Sequence, residues 1–228
     1  MNFLCSIFLA FIWKNQKELK VLPKGRYSKF TYSVAVSMIE KFTGKFFDVL
    51  LDEEVFVPLS APDCGVGPTT LDQSLPPAQP WSHFSGPWGV YNIPVLPGDK
   101  SNMPSSMAPD VGIHCSLDSW RNVLSAHLAR NESFLTEKSW SVLQDAGVRL
   151  YDSFDYAPGF VVESSPFITS LQHPGGDLKE YSQVFLIPDH NVGIVIAANQ
   201  NLQEGMRQMV GMHKIRKYLG QQLPISLG

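Results

Sequence analysis

The sequence predicts an α+β domain, an antiparallel sheet flanked by helices, and three features of its pattern carry that prediction. Apolar residues recur at helical spacing in the first half of the chain, short strand-like runs follow one another after Tyr156, and two of those runs are apolar without alternation. Strands of that last kind are covered on both faces, and the helices are the elements available to cover them. The chain has 228 residues, 44% hydrophobic and 17% charged. That suffices for one sizeable core and excludes a disordered tail or a coiled coil.

Residues 1–14 form an apolar amino-terminal segment of open origin. Phe3 to Trp13 is almost wholly apolar, yet shorter than the roughly 20 residues a spanning helix needs, and it lacks the preceding positive charge and following cleavage site of a secretory signal. A buried helix and a weak signal peptide both remain open, a membrane anchor is not expected, and the compartment is not assigned.

From Thr31 to Thr43 the positions Val34, Ala35, Met38, Ile39 and Phe42 predict an amphipathic helix with Gly44 as its cap. Phe46 to Phe56 predicts a second, shorter helix closed by Pro58. At about 58–110 an irregular excursion is expected, because 11 of the 17 prolines lie between Pro58 and Pro109 and proline is excluded from helix interiors and central strands. Its aromatic residues Trp81, Phe84, Trp88 and Tyr91 predict packing against the domain.

Ser116 is placed to cap a helix through Trp120, Val123, Leu124, His127 and Leu128, and Thr136 to cap another with Trp140 and Leu143. Strands are expected at 159–162, 167–171, 181–187 and 193–198. The last two form a hairpin about Pro188-Asp189-His190-Asn191. Leu202 to Leu219 is expected to be helical, with Met206, Met209, Val210, His213 and Tyr218 on one face.

Several function classes are excluded at this stage. Lys plus Arg number 18 against 21 Asp plus Glu, for a net charge of -3, so no basic field draws nucleic acid. The six histidines and three cysteines are scattered; no metal site and no cofactor is expected, and at most one disulfide. His114-Cys115 is no catalytic dyad by adjacency alone, and Cys64-Gly65-Val66-Gly67 lacks the lysine and helix of a phosphate loop.

Two segments are candidates for chemistry. Tyr27-Ser28-Lys29 stands at the start of the first helix, and His173-Pro174-Gly175-Gly176 stands between two strands of the buried sheet. Glycines there let a ligand approach the backbone, and a tyrosine near a histidine can tune a proton transfer. Taken alone, each has a plainer reading: a tyrosine with its hydroxyl satisfied and a histidine in a turn.

The order of several motifs resembles the serine β-lactamase and penicillin-binding-protein-like family, specifically its class C β-lactamase and family VIII esterase branch. Tyr27-Ser28-Lys29 is similar to that branch's Tyr-Ser-Asn, Met38 to Lys45 to its Ile-Glu-x-x-Thr-Gly-Lys, and Val55 to Leu59 to its Phe-x-Pro-Leu. Pro109 to Asp118 resembles its Ala-Gly-Gly-Leu-x-Ser-Thr stretch, and Tyr156-Ala157-Pro158-Gly159-Phe160 its Tyr-x-x-Gly-Trp. His173-Pro174-Gly175-Gly176 resembles its Lys/His-Thr-Gly, and Val195 to Asn199 its strand ending in Asn. The resemblance runs over roughly residues 15 to 220.

The resemblance implies a β-lactamase/transpeptidase-like fold and hydrolysis of a small ester, lactam or amide through an acyl-serine. It implies catalytic roles for Tyr27, as a proton-shuttling phenol, and for His173 across the cleft from it. It assigns Lys29 to substrate binding, the Gly176 N–H to an oxyanion hole, and Gly175 to keeping that edge open. The chain departs from the family pattern at Lys29, where the family has Asn, and at Pro174, where it has Thr. No serine has a lysine three residues after it, so the nucleophile motif Ser-x-x-Lys is absent. Residues 15–228 therefore read as the C-terminal two-thirds of such a domain, incomplete at its N-terminus, inactive as this chain and prone to self-association. The alternative is a non-catalytic binding or interaction protein that keeps the fold.

Overall fold

A computed structural model describes residues 28–67, 82–85, 92–95, 105–150, 154–164, 168–176 and 181–198. Helix α1 (Lys29–Thr43) begins after the extended Ser28 and ends at Gly44, whose φ of 72° and N–H bond to the Glu40 carbonyl at 2.8 Å make the expected left-handed stop. Its inward face is Val36 and Ile39, with Tyr32 packed beside them. Val34, Met38 and Phe42, expected on one stripe with Ile39, instead point to solvent. The helix thus has two apolar sides, and the inward one is held by the Tyr32 hydroxyl, which is bonded to the hydroxyl of Tyr156.

Helix α2 (Phe47–Leu51) starts where Glu40 Oε1 accepts the Phe47 N–H at 2.9 Å. It runs on into a wider π turn, Asp52–Phe56, closed by the Val57 N–H on the Asp52 carbonyl. Widening the turn lets Leu50, Leu51, Val55 and Phe56 all enter the core. Burying one such side chain stabilises by about 1.5–3 kcal/mol.

The proline-rich excursion leaves and rejoins the domain at one place. Strand β1 (Gly65–Val66) pairs antiparallel with β4 (Ile113–His114), and Cys64 is disulfide-bonded to Cys115 at the next rung. Between them lie an antiparallel pair, β2 (Ser82–Ser85) with β3 (Asn92–Val95), and the short helix α3 (Ala108–Val111). Trp81, Trp88 and Tyr91 lie outside the described residues, as do residues 1–14 and the expected helix at 202–219.

Ser116 and Thr136 cap α4 (Leu117–Leu128) and α5 (Glu137–Gln144) as expected, their hydroxyls accepting the N–H groups of Ser119 and Ser139. A six-stranded antiparallel sheet follows in the order β10-β9-β8-β7-β6-β5. Its strands are β5 (Val148–Leu150), β6 (Phe154–Ala157), β7 (Phe160–Ser164), β8 (Thr169–Gly176), β9 (Tyr181–Ile187) and β10 (Val192–Ala198). Each strand pairs with its successor, and β9 and β10 form the expected hairpin through Pro188–His190 and Asn191.

Phe160, Val162, Leu171, Val184 and Leu186 share one core with Trp120, Val123, Leu124, Trp140 and Leu143 of the helices. Phe185 and Ile187 form a second cluster with Ile168, Val192, Ile194 and Ile196, as the alternation of β9 requires. The architecture is the expected one, with three differences: β5 and β6 add two strands to the sheet, the excursion expected to be irregular carries the pairs β1–β4 and β2–β3, and His173-Pro174-Gly175-Gly176 is the end of a strand instead of the link between two.

Candidate functional site

The end of β8 is built by an inequality between its neighbours. Pairing with β7 ends at Val161 and Gln172, whereas pairing with β9 continues through Pro174 and Gln183 to Gly176 and Tyr181. Among the described residues, 174–176 are therefore paired in the sheet on one flank only. A proline is tolerated there because no ladder bond is required of it on the other flank. Gly175 is half-buried and Gly176 exposed, and neither carries a side chain of its own to cover that flank.

His173 stands just before this edge and points into the core, 8% exposed. Its Nδ1–H donates to the carbonyl of Gly159. Because that carbonyl can only accept, Nδ1 carries the proton in the neutral ring. Gly159 can offer its carbonyl because it sits in the two-residue turn between β6 and β7 with a φ of 87°, a conformation that favours glycine and follows naturally after Pro158. Burial pushes the His173 pKa down to about 4, against the opposing pull of the Gly159 carbonyl. At neutral pH this is an uncharged imidazole.

Behind His173 lies a line of edge-on rings. Phe160 is 6.5 Å from His173 and 5.5 Å from His127, and His127 is 4.9 Å from Trp140. His127 is fully buried in this line, and burial lowers its pKa to about 3. The stack fixes the His173 ring from behind, as Gly159 fixes it from the side.

Lys29 is the first residue of α1. Tyr27 lies outside the described residues, so the Tyr27 to His173 separation does too. The structure ties α1 to the sheet two strands away from His173: the Tyr32 hydroxyl on α1 is 2.9 Å from the Tyr156 hydroxyl on β6, three residues before Gly159. Sequence reading missed both this bridge and the Gly159 contact, although Tyr156 and Gly159 belong to a motif it had noted. Cys115 is taken up in the disulfide, and His114 Nδ1 contacts the Gly67 carbonyl at 3.1 Å, so neither forms a dyad. Among the described residues no cluster of His, Cys, Asp or Glu is arranged to hold a metal, and no helix is long and apolar enough to cross a membrane.

Residues 16–213 match the family described as beta-lactamase. No curated protein matches the chain. Among solved structures it is similar to a penicillin-binding protein from Bacillus halodurans, with 16% identity and a TM-score of 0.63 over 91% of this chain and 62% of that one. It is also similar to the octameric penicillin-binding protein homologue from Pyrococcus abyssi, with 13% identity and a TM-score of 0.59 over 75% and 38% of the two chains. A third is the D-amino acid amidase from Ochrobactrum anthropi SV3 complexed with L-phenylalanine amide, with 16% identity and a TM-score of 0.60 over 83% and 54%. At these identities the likeness is one of fold, and this chain spans less than two thirds of the length of each.

Proposed function

Since the chain belongs to the β-lactamase family, we propose that its serine-hydrolase-like fold offers a cleft for a small ester, lactam or amide, and that this polypeptide alone does not turn such a substrate over. The observation that carries the second half is the lack of any serine followed three residues later by lysine among the 228 residues. Loss of a serine nucleophile costs on the order of a million-fold in turnover, or roughly 8 kcal/mol in the barrier, and no remaining hydrogen bond replaces the acyl bond.

In this reading Tyr27 is the phenol of the site and His173 its neighbour across the cleft. Lys29 binds substrate at the start of α1, Gly175 leaves the strand edge open, and the Gly176 N–H is one arm of an oxyanion hole. The one-sided pairing of residues 174–176 supports the last two roles.

Lys29 and Pro174 favour a second reading, a binding protein that keeps the fold. Lysine donates but cannot accept where the family's Asn does both, and Pro174 removes a hydroxyl and an N–H. Self-association also belongs to the proposal, with the octameric Pyrococcus homologue as precedent.

The test is incubation of the purified chain with nitrocefin and p-nitrophenyl butyrate. Hydrolysis at the buffer rate is expected, and rapid hydrolysis abolished by Tyr27→Phe would overturn the proposal. A rise in melting temperature with phenylalanine amide that is not consumed would select the binding reading.

A further inference from the structure

Away from the candidate cleft, the loop between α4 and α5 carries Asn131-Glu132-Ser133, the one Asn-x-Ser/Thr triplet in the sequence. Such a triplet is an acceptor for an N-linked sugar when it lies on the surface of a chain that enters the secretory route. Nine asparagines make one triplet unsurprising by chance, so its placement in the fold has to decide. Glu132 and Ser133 are exposed and Asn131 is half-buried. The Asn131 backbone is fully bonded: its N–H donates to the Ala126 carbonyl at 3.0 Å, and its carbonyl accepts from the N–H groups of Phe134 and Leu135 and from the Trp140 indole, each at 3.1 Å.

The side chain is divided between its two ends. Oδ1 accepts from the Ser133 N–H at 3.0 Å and from the Ser133 hydroxyl at 2.7 Å. A backbone N–H can only donate, so the atom facing it is the oxygen, and the orientation of the amide follows. Nδ2 is then left with no hydrogen bond among the described residues, and it is not sealed from solvent. A substituent on that nitrogen breaks no bond of the fold.

We propose that Asn131 carries an N-linked oligosaccharide, transferred from a lipid-pyrophosphate donor. Nδ2 bonds to the anomeric carbon of the sugar, the bond from that carbon to the pyrophosphate oxygen breaks, and the lipid pyrophosphate leaves with the electron pair. One Nδ2 proton passes to a base of the transferase, and the other stays on the nitrogen. An independent feature puts the chain where this transfer takes place. The Cys64–Cys115 disulfide belongs to an oxidising compartment, since cytosolic thiols are kept reduced, and the lumen of the secretory route is oxidising. The inference goes beyond the hydrolase reading and does not depend on the cleft.

The experiment is expression of the full chain in cultured mammalian cells, followed by peptide N-glycosidase in heavy-oxygen water. The band should fall in mass, and the peptide spanning residues 131–133 should carry an aspartate with heavy oxygen at its first position. Asn131→Asp, whose carboxylate accepts the same two Ser133 bonds, should lose the sugar and keep the far-UV circular dichroism. Ser133→Ala should lose the sugar, and Ser133→Thr should keep it. An unmodified residue 131 would overturn the proposal: with residues 64 and 115 linked, the loop itself is refused, and with both thiols free, the compartment is wrong. A mass shift that persists in Asn131→Asp would place the sugar elsewhere and overturn it equally.

Discussion

The hydroxyls of Tyr32 and Tyr156 meet at 2.9 Å across 124 residues of sequence, and through them helix α1 is tied to the strand that leads into the turn holding His173. Residue 159, whose carbonyl accepts the His173 Nδ1–H, lies three positions beyond Tyr156. Removing either hydroxyl should cost about 1 kcal/mol, the usual net worth of one such bond. In a cycle of Tyr32→Phe, Tyr156→Phe and the double variant, urea unfolding should show the double costing about 1 kcal/mol less than the sum of the singles. Strict additivity would mean that the hydroxyls do not meet.

Acid should destabilise the fold through its buried histidines. His173 and His127 have folded pKa values pushed below the ordinary 6.5, to about 4 and about 3, so between those values and 6.5 the unfolded chain binds more protons. Their contribution is complete above about pH 6.5 and is lost as the pH falls toward the folded values. Between pH 7 and 5 each should subtract about 2 kcal/mol. His173→Gln should lower the stability at pH 7 yet flatten its dependence on pH. A wild-type urea midpoint unchanged from pH 7 to pH 5 would contradict both shifts.

The Cys64–Cys115 bridge spans 51 residues. For a loop of that length the chain-entropy treatment gives about 4 kcal/mol of stabilisation. Cys64→Ala, Cys115→Ala and the double variant should lose closely similar amounts, up to that figure, because each abolishes the same bond. Peptide mapping under non-reducing conditions should recover residues 64 and 115 in one linked fragment, and any other pairing would refute the assignment.

The two helix caps should differ in worth. Thr136→Ala removes the capping bond, at about 1 kcal/mol, and a contact with the neutral Ser139 hydroxyl at 3.0 Å. Ser116→Ala removes a cap and the bond its hydroxyl donates to the Asp63 carboxylate at 3.0 Å, and because a bond to an ionised acceptor is the stronger kind it should cost more. Equal losses in thermal unfolding would show that the Asp63 contact is worth no more than the Ser139 one.

What could be read from the sequence was local. Ser116, Thr136 and Gly44 act within one turn of the helices they bound, and the β9–β10 hairpin announces itself in four adjacent residues. Strands β5 and β6 are three and four residues long and owe their existence to the neighbours they pair with, so no run of their own residues marks them. The two glycines and proline after His173 suggested a turn, and pairing with β9 overrode that local preference. On α1 the spacing identified the helix correctly, but Met38 and Ile39 are both apolar, and only tertiary packing decides which side turns inward. The candidate residues of the site could be named from motifs, whereas the charge state of His173 could not, since it depends on burial among residues from three separate elements. The pairing of Cys64 with Cys115 was equally hidden, because it follows from two-residue strands that meet over a long interval.

Those two-residue strands and their sulfur bridge have one more consequence. The polypeptide departs at Gly67 and is back at Gly112, whose carbonyl accepts the Gly67 N–H at 2.8 Å, so the two ends of the excursion are fastened to a single boss. Its returning end is fastened a second time, to α1, where the Ser33 hydroxyl donates to the Ser106 carbonyl at 3.1 Å and Pro109 and Asp110 are buried. A change that leaves residues 105–112 in place keeps both fastenings, and one that displaces them loosens the first helix as well.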